Sequence, residues 1–269
     1  MKIGRQTEPH SAICASNPQT IVVRGHDLCR ELLGKVGFTE YFWLLLTGER
    51  AQPAQVRMLD ATLVAIAEHG LVPSVQASRM TLAAAPEALQ GAVAAGVLGC
   101  GSVILGSAEA AGRLLDEILK RAAAGASLDD AVKAVVTEYR AAKRPIPGYG
   151  HPQHKGEDPR ATRLVAVARE LGVAGRYVDA ALRLDALLPD IVGKPLRLNV
   201  SGAIPAVLLD AGFPAGALKG VPILARTAGL IAHLLEEQQR SIGFILSHGA
   251  SKAISYDGPI PEGFVPEGA

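Results

Sequence analysis

The sequence predicts an all-α protein, and three observations point there. Apolar residues recur at three- and four-residue spacing in segment after segment, the period of one face of a helix. Capping residues bracket those segments where helices start and stop. Strand signals are few, and the strand–helix alternation of a doubly wound sheet is absent.

The elements follow in chain order. "TIVVRG", from Thr20, reads as a short strand before a turn. "AQVRMLDATLVAIAEHG" sets Val56, Leu59, Leu63 and Ile66 on one face, with Pro53 near its start and Gly70 at its end. From Ala88 to Ala108 there is no charge, which is long enough for a membrane span. Five glycines interrupt it, so a buried helix followed by a glycine-rich turn is expected instead. "EAAGRLLDEILKRAAAG" repeats the helical face with Leu114, Leu115, Ile118 and Leu119, and closes on Lys120 and Arg121 at the negative end of the helix dipole. "SLDDAVKAVVTEYRAAKR" opens on Ser127 as a cap, with Asp129 and Asp130 in the first turn. Further helices are expected over 159–171, 174–188, 202–212 and 215–239. The Pro- and Gly-rich breaks at 144–150 and 193–202 are candidate site loops.

Composition narrows the function. The chain has 269 residues, 49% hydrophobic and 20% charged, with a formal net charge of +1, as in ordinary globular proteins. No basic stripe interleaves with aromatics, so no nucleic acid is expected as a partner, and no membrane. Cys14, Cys29 and Cys100 form no C-x-x-C pair, which argues against a disulfide framework or zinc site and fits a cytoplasmic location. The first residues hold no apolar run of the kind a signal peptide needs.

Three stretches carry polar chemistry. "PIPGYGHPQHKGEDPR", Pro145 to Arg160, is the least scaffold-like. Gly148 and Gly150 flank Tyr149, so the backbone can turn sharply and let a ligand approach. His151 can donate or accept a proton near neutral pH. Asp158-Pro159 reads as a helix start, and Arg160 in its first turn suits bidentate grip on a carboxylate. His151, His154, Glu157 and Asp158 could ligate a metal, but the spacing matches no strong pattern and no metal is expected. "AEHG" places His69 at a helix end, either as a dipole-stabilised imidazolium or as a functional group. "LARTAGLIAHLLEEQ" sets Arg226, His233 and Glu237 on one face. The plain reading is a solvated stripe with His233 paired to Glu236 or Glu237. Arg226, however, lies among apolar residues, and a buried arginine needs an anionic partner, which a substrate carboxylate would supply.

Taken in order, these stretches resemble the citrate synthase superfamily, above all its short members, the citryl-CoA lyases and the C-terminal module of ATP-citrate lyase. "GYGHPQHKGEDPR" resembles the signature loop, "AEHG" an Ala-Asp-His segment, and "LLPDIVGKPLRLNVSGAI" the stretch leading to an Asn-Val-Asp-Gly element. "ARTAGLIAH" is similar to the helix with a substrate arginine, and "YFWLLLTGE" to an early helix. The resemblance implies a helical homodimer, or a higher oligomer, with a large domain at 1–106 plus 203–269 and a small domain at 107–202. It implies a coenzyme A thioester as substrate and no tightly bound cofactor. Lys143, Arg144, Pro147, Gly148, Tyr149 and Gly150 would lie near the coenzyme. His151, His69, Arg160, Arg226 and Asn199 would meet the acyl group, and His151, His69 and Ser201 would be catalytic.

The sequence also departs from the pattern. The aspartate expected after Asn199-Val200 is Ser201, Pro152 stands where an arginine usually follows the signature histidine, and a late arginine is Ser247 or absent. A serine cannot exchange protons as a carboxylate does near neutral pH. Retro-Claisen cleavage of citryl-CoA is therefore the expected reaction. A citrate or 2-methylcitrate synthase-type acyltransferase and a non-catalytic CoA-ester-binding protein are the alternatives.

Overall fold

The computed structural model describes residues 9–150 and 156–264, with backbone only at 102–104. Ten α-helices dominate it: α1 Phe38–Thr47, α2 Pro53–Ala67, α3 Pro73–Ala84, α4 Leu89–Ala123, α5 Leu128–Ala141, α6 Pro159–Glu170, α7 Arg176–Val192, α8 Val200–Asp210, α9 Gly220–Gln239 and α10 Gly243–Ala253. The all-α expectation holds. The expected strand is present as β2, Ile21–Val23, and it has two partners that the sequence did not signal. With β1 (Cys14–Ser16) and β3 (His26–Asp27) it forms an antiparallel sheet in the order β1-β2-β3, Ala15 facing Val22 and Val23 facing His26. The β2–β3 turn uses Arg24 and Gly25, both at positive φ, the geometry of tight hairpin turns.

Several caps stand where the residue types placed them. Ser127 Oγ accepts from the Asp130 amide (3.1 Å) at the head of α5, and Asp158 accepts from the Arg160 amide (3.1 Å) at the head of α6. One break and one boundary stand out. The charge-free stretch is broken at Gly101, whose φ of 54° and ψ of −167° are not helical, so that α4 is two helical segments, the second running on to Ala123. Helix α7 does not stop before Pro189 but runs one turn further, to a left-handed Gly193 whose amide returns to the Pro189 carbonyl (2.8 Å).

The chain divides into two compact units, Met1–Ile66 with Leu105–Pro222, and Ala67–Ile104 with Ile223–Ala269. The cuts fall at 66/67, 104/105 and 222/223.

In the first unit α8 packs against α6 and α7, and α5 packs against α7. Helix α8 is buried on all sides from Gly202 to Leu208, which suits its wholly apolar run. Leu184, Leu188, Ile204 and Leu208 are fully buried there, each stabilising the fold by about 1.5–3 kcal/mol. Trp43 meets Phe213 edge to face, ring centroids 5.5 Å apart. In the second unit α3 packs on α10, and Leu82, Ala92 and Leu234 form an apolar cluster.

Candidate functional site

The first unit builds a site around the glycine-rich loop. Residues 148–150 lie antiparallel to 197–199: the Asn199 amide donates to the Gly148 carbonyl (2.9 Å) and the Gly150 amide to the Arg197 carbonyl (2.7 Å). This contact brings the loop down onto the head of α8. A Cβ on Gly148, itself at φ +86°, would lie 2.6 Å from Gly202 Cα, and a Cβ on Gly202 would lie 2.6 Å from the Gly148 carbonyl oxygen. Two glycines therefore let the backbones touch. Asn199 ties the same joint together. Its Oδ1 caps α8, accepting from the Ser201 (2.9 Å) and Gly202 (3.3 Å) amides, while its Nδ2 donates to the Gly150 carbonyl.

Asp158 supplies the third tie. It is buried, and its carboxylate takes the Arg160 guanidinium in a fork, Nε to Oδ1 at 3.0 Å and Nη2 to Oδ2 at 2.9 Å. The same Oδ2 accepts from the Val200 amide (3.0 Å) at the first turn of α8. Burial pushes the Asp158 carboxyl up, but the bonds from Arg160 and the Val200 amide outweigh it and hold it below the usual carboxylate range. Asp158, expected as a helix cap, thus joins Arg160 to the helix that presents Ser201. Its two oxygens are engaged by that fork and that amide.

The expected residues of this unit that the structure describes have definite places. Ser201 is half-buried in the first turn of α8, beside the positive end of the helix dipole. Its hydroxyl makes no hydrogen bond among the described residues. Arg160 keeps its Nη1 edge clear of the Asp158 fork. Tyr149 is buried, its hydroxyl donating to the Ala181 carbonyl (2.8 Å), and burial pushes the phenol well above its ordinary value. Its side chain is thus a strut and only its backbone is offered to the loop surface. Lys143 is exposed at φ 52° just beyond α5, and Arg144 stacks its guanidinium 3.8 Å over the Tyr139 ring. Pro147 is half-buried between them and the glycines. His151, Pro152 and His154 lie outside the described residues.

A cavity of about 280 Å³ opens nearby, lined among others by Glu157, Thr162, Arg169, Asp185 and Arg197. Arg197 pairs there with Asp185 (3.0 Å) and Glu157 (3.3 Å). Neither Asp185 nor Arg197 was singled out from the sequence, because each reads locally as a lone helix or loop charge.

The second unit holds the other expected residues. His69 follows the last residue of α2, Ala67, by two, and Gly70 (φ +74°) turns the chain behind it. Arg226 lies on α9, half-buried and two turns before His233. The expected pairing of His233 with Glu236 or Glu237 is corrected by the structure. His233 Nε2 meets Glu68 Oε2 at 3.0 Å instead, and Nδ1 faces Arg79 Nη1 at 3.4 Å. Glu236 and Glu237 turn to Arg79, at 2.8 and 2.6 Å. Glu68 and Arg79 were missed because their partners lie on distant segments. The buried arginine of α3 has no signal in a local pattern.

Comparison with known proteins gives this geometry a family. The model for the C-terminal domain of citrate synthase matches residues 9–245. The structure of citryl-CoA lyase from Hydrogenobacter thermophilus is similar, with a TM-score of 0.83, 33% identity, and coverage of 95% of this chain and 97% of that one. An ATP citrate lyase of Methanosaeta concilii, in complex with (3S)-citryl-CoA, shares the fold with a TM-score of 0.75 at 23% identity, over 97% of this chain and 43% of that one. The citrate synthase of Synechocystis is 28% identical over 209 residues, 76% of this chain and 50% of its own. The chain spans about half the length of the citrate synthase relatives it matches.

Proposed function

Because the chain belongs to the citrate synthase family, we propose that it is a citryl-CoA lyase-like enzyme, cleaving citryl-CoA or a close 3-hydroxyacyl-CoA analogue to acetyl-CoA and oxaloacetate. One observation carries this reading. The chain is 33% identical to a citryl-CoA lyase at a TM-score of 0.83, and Ser201 stands where a synthase needs its carboxylate base.

In the proposed reaction His151 takes the proton of the tertiary hydroxyl. The oxygen's electron pair forms the ketone of oxaloacetate, and the C–C bond breaks. The released pair moves onto the thioester carbonyl as an acetyl-CoA enolate, which is then protonated at carbon. Groups placed where that charge develops lower the barrier. His69 is proposed to serve the thioester oxygen, and the Ser201 hydroxyl, on the positive end of α8, to hydrogen-bond the enolate or the water that protonates it. Arg160 through its Nη1 edge and Arg226 would hold carboxylates, and Asn199 would fix the loop against α8. The backbone of Pro147–Gly150, with Lys143 and Arg144, would face the coenzyme. Serine in place of a carboxylate disfavours running the reaction as a synthase, because removal of an α-proton needs a base. The domain division at 1–106 plus 203–269 and 107–202, a homodimer and a cytoplasmic location complete the proposal.

The test is a screen of purified protein against 3-hydroxy di- and tricarboxyl CoA thioesters, following oxaloacetate and acetyl-CoA. Cleavage of citryl-CoA is expected, with His151→Ala losing at least about 100-fold in kcat, the usual contribution of a positioned acid–base group. Ser201→Asp is expected to gain citrate-forming activity. Binding of the thioesters in calorimetry with no turnover would replace the enzyme by the second reading, a CoA-ester-binding protein, which the loss of the carboxylate at Ser201 favours.

A further inference from the structure

We infer that His233 and Glu68 act together as positioning residues that fix the backbone of His69. The inference rests on the reading of His69 as a substrate-contacting group. Glu68 is the centre of the arrangement. Its Oε1 accepts the amides of His69 (2.8 Å) and Gly70 (2.5 Å), while its Oε2 meets His233 Nε2 (3.0 Å). Burial pushes the Glu68 carboxyl up, and the bonds from His233, Gly70 and His69 bring it below its ordinary value, so it stays an anion and an acceptor.

The other side of His233 decides its tautomer. Nδ1 faces Arg79 Nη1, and a guanidinium nitrogen can only donate. Nδ1 is therefore the acceptor, Nε2 carries the proton, and that proton points to Glu68. Arg79 is itself fixed, buried and bound by Glu236 on Nη1, Glu237 on Nε and the Arg240 carbonyl on Nη2. The chain of contacts thus runs from a buried ion pair, through one imidazole of defined tautomer, to the amide of His69.

A separate observation shows that α9 is shaped for this contact. A Cβ on Gly229 would run into the Ala67 carbonyl oxygen and would lie 3.1 Å from Glu68 Oε2. Only glycine lets α9 approach the end of α2 this closely. The helix that brings His233 to Glu68 is the one that carries Arg226 two turns earlier. One rigid element thereby sets both a proposed carboxylate-binding arginine and the backbone of a proposed catalytic histidine. Groups held through such outer partners commonly depend on them for a large part of their activity.

Hydrogen exchange of the full-length protein without ligand tests the latch. In Glu68→Ala and His233→Ala the amides of His69 and Gly70 should exchange about tenfold faster, the scale of one lost hydrogen bond. Amides of α5 and α8 should be unchanged. His233→Gln, which keeps an N–H donor near the Nε2 position, should restore protection. With citryl-CoA, His233→Ala should lower kcat about tenfold at constant KM, with no further loss when added to His69→Ala. Unchanged exchange at 69–70 in both variants, or losses that add to those of His69→Ala, would overturn the inference. Absence of any cleavage by the wild-type protein would overturn the lyase reading alone, because the exchange result stands without turnover.

Discussion

Arg79 and Glu237 form the buried ion pair with most at stake. Both side chains are nearly inaccessible, and Glu237 also accepts from Ser241 Oγ (2.7 Å) and the Gly243 amide (2.8 Å). Burial raises the Glu237 carboxyl, but Ser241, Arg79 and the two amides of Gly243 and Ile242 bring it from 4.5 to about 2. Its folded-state pKa is depressed, so its contribution is present above about pH 4.5 and is lost as pH falls through about 2. Urea unfolding should show up to about 3 kcal/mol of such acid-sensitive stability, absent in Glu237→Gln. Arg79→Ala should cost about 3–5 kcal/mol at neutral pH, because it leaves a buried carboxylate unpaired. Residue chemistry was readable where the partner is a sequence neighbour, as with Asp158 capping α6. The Arg79–Glu237 pair joins positions 158 residues apart, and nothing local marks it.

Among the elements, helices with a cap and an apolar stripe were the readable ones. Helices α5 and α6 have both, and their ends fell within a turn of expectation. Helix α3 was missed because it buries Ser74, Ser78 and Arg79 beside Val75 and Leu82, so its inward face looks polar. Helix α10 was missed for the opposite reason: Phe244 and Ile245 point outward and only Gly243 is buried in it. Helix α7 was ended too early at Pro189, since a proline loses one hydrogen bond but the Gly193 cap and the Arg140 guanidinium on the Ile191 carbonyl support the last turn. The junction of α8 with the glycine loop gives a sharp prediction. Gly202→Ala should drive a methyl into the Gly148 carbonyl, with a cost of about 1–3 kcal/mol in thermal or urea unfolding. Thioester binding should weaken with it, because the loop is displaced from the head of α8.

At the scale of the whole molecule, exposed apolar side chains occur along the first hundred residues, as at Leu33, Phe38, Val64 and Leu98, and again between Ile231 and Phe264. Ile231, Leu235, Phe244, Ile245, Ile254 and Tyr256 are all more than half exposed. Such surface is costly in water and suits the proposed homodimer. Sedimentation velocity should give a dimer, and Phe244→Glu with Ile245→Glu should shift it to monomer. The sequence by itself determined the helical class, the caps, the glycine-rich loop and the residue types for gripping carboxylates. Those properties are local, set by periodicity, backbone freedom and side-chain chemistry over a few residues. Tertiary structure alone decided that Asp158 forks Arg160 while holding α8, that Asn199 staples the loop to the Ser201 turn, and that His233 turns from its own helix to Glu68. Each of these depends on which distant segment the packing brings within 3 Å, and a hydrogen bond has no influence on sequence pattern at that range. Residues 148–150, read from sequence as a sharp turn open to a ligand, are therefore clamped to α8, with Gly148 and Gly202 in contact because neither carries a side chain.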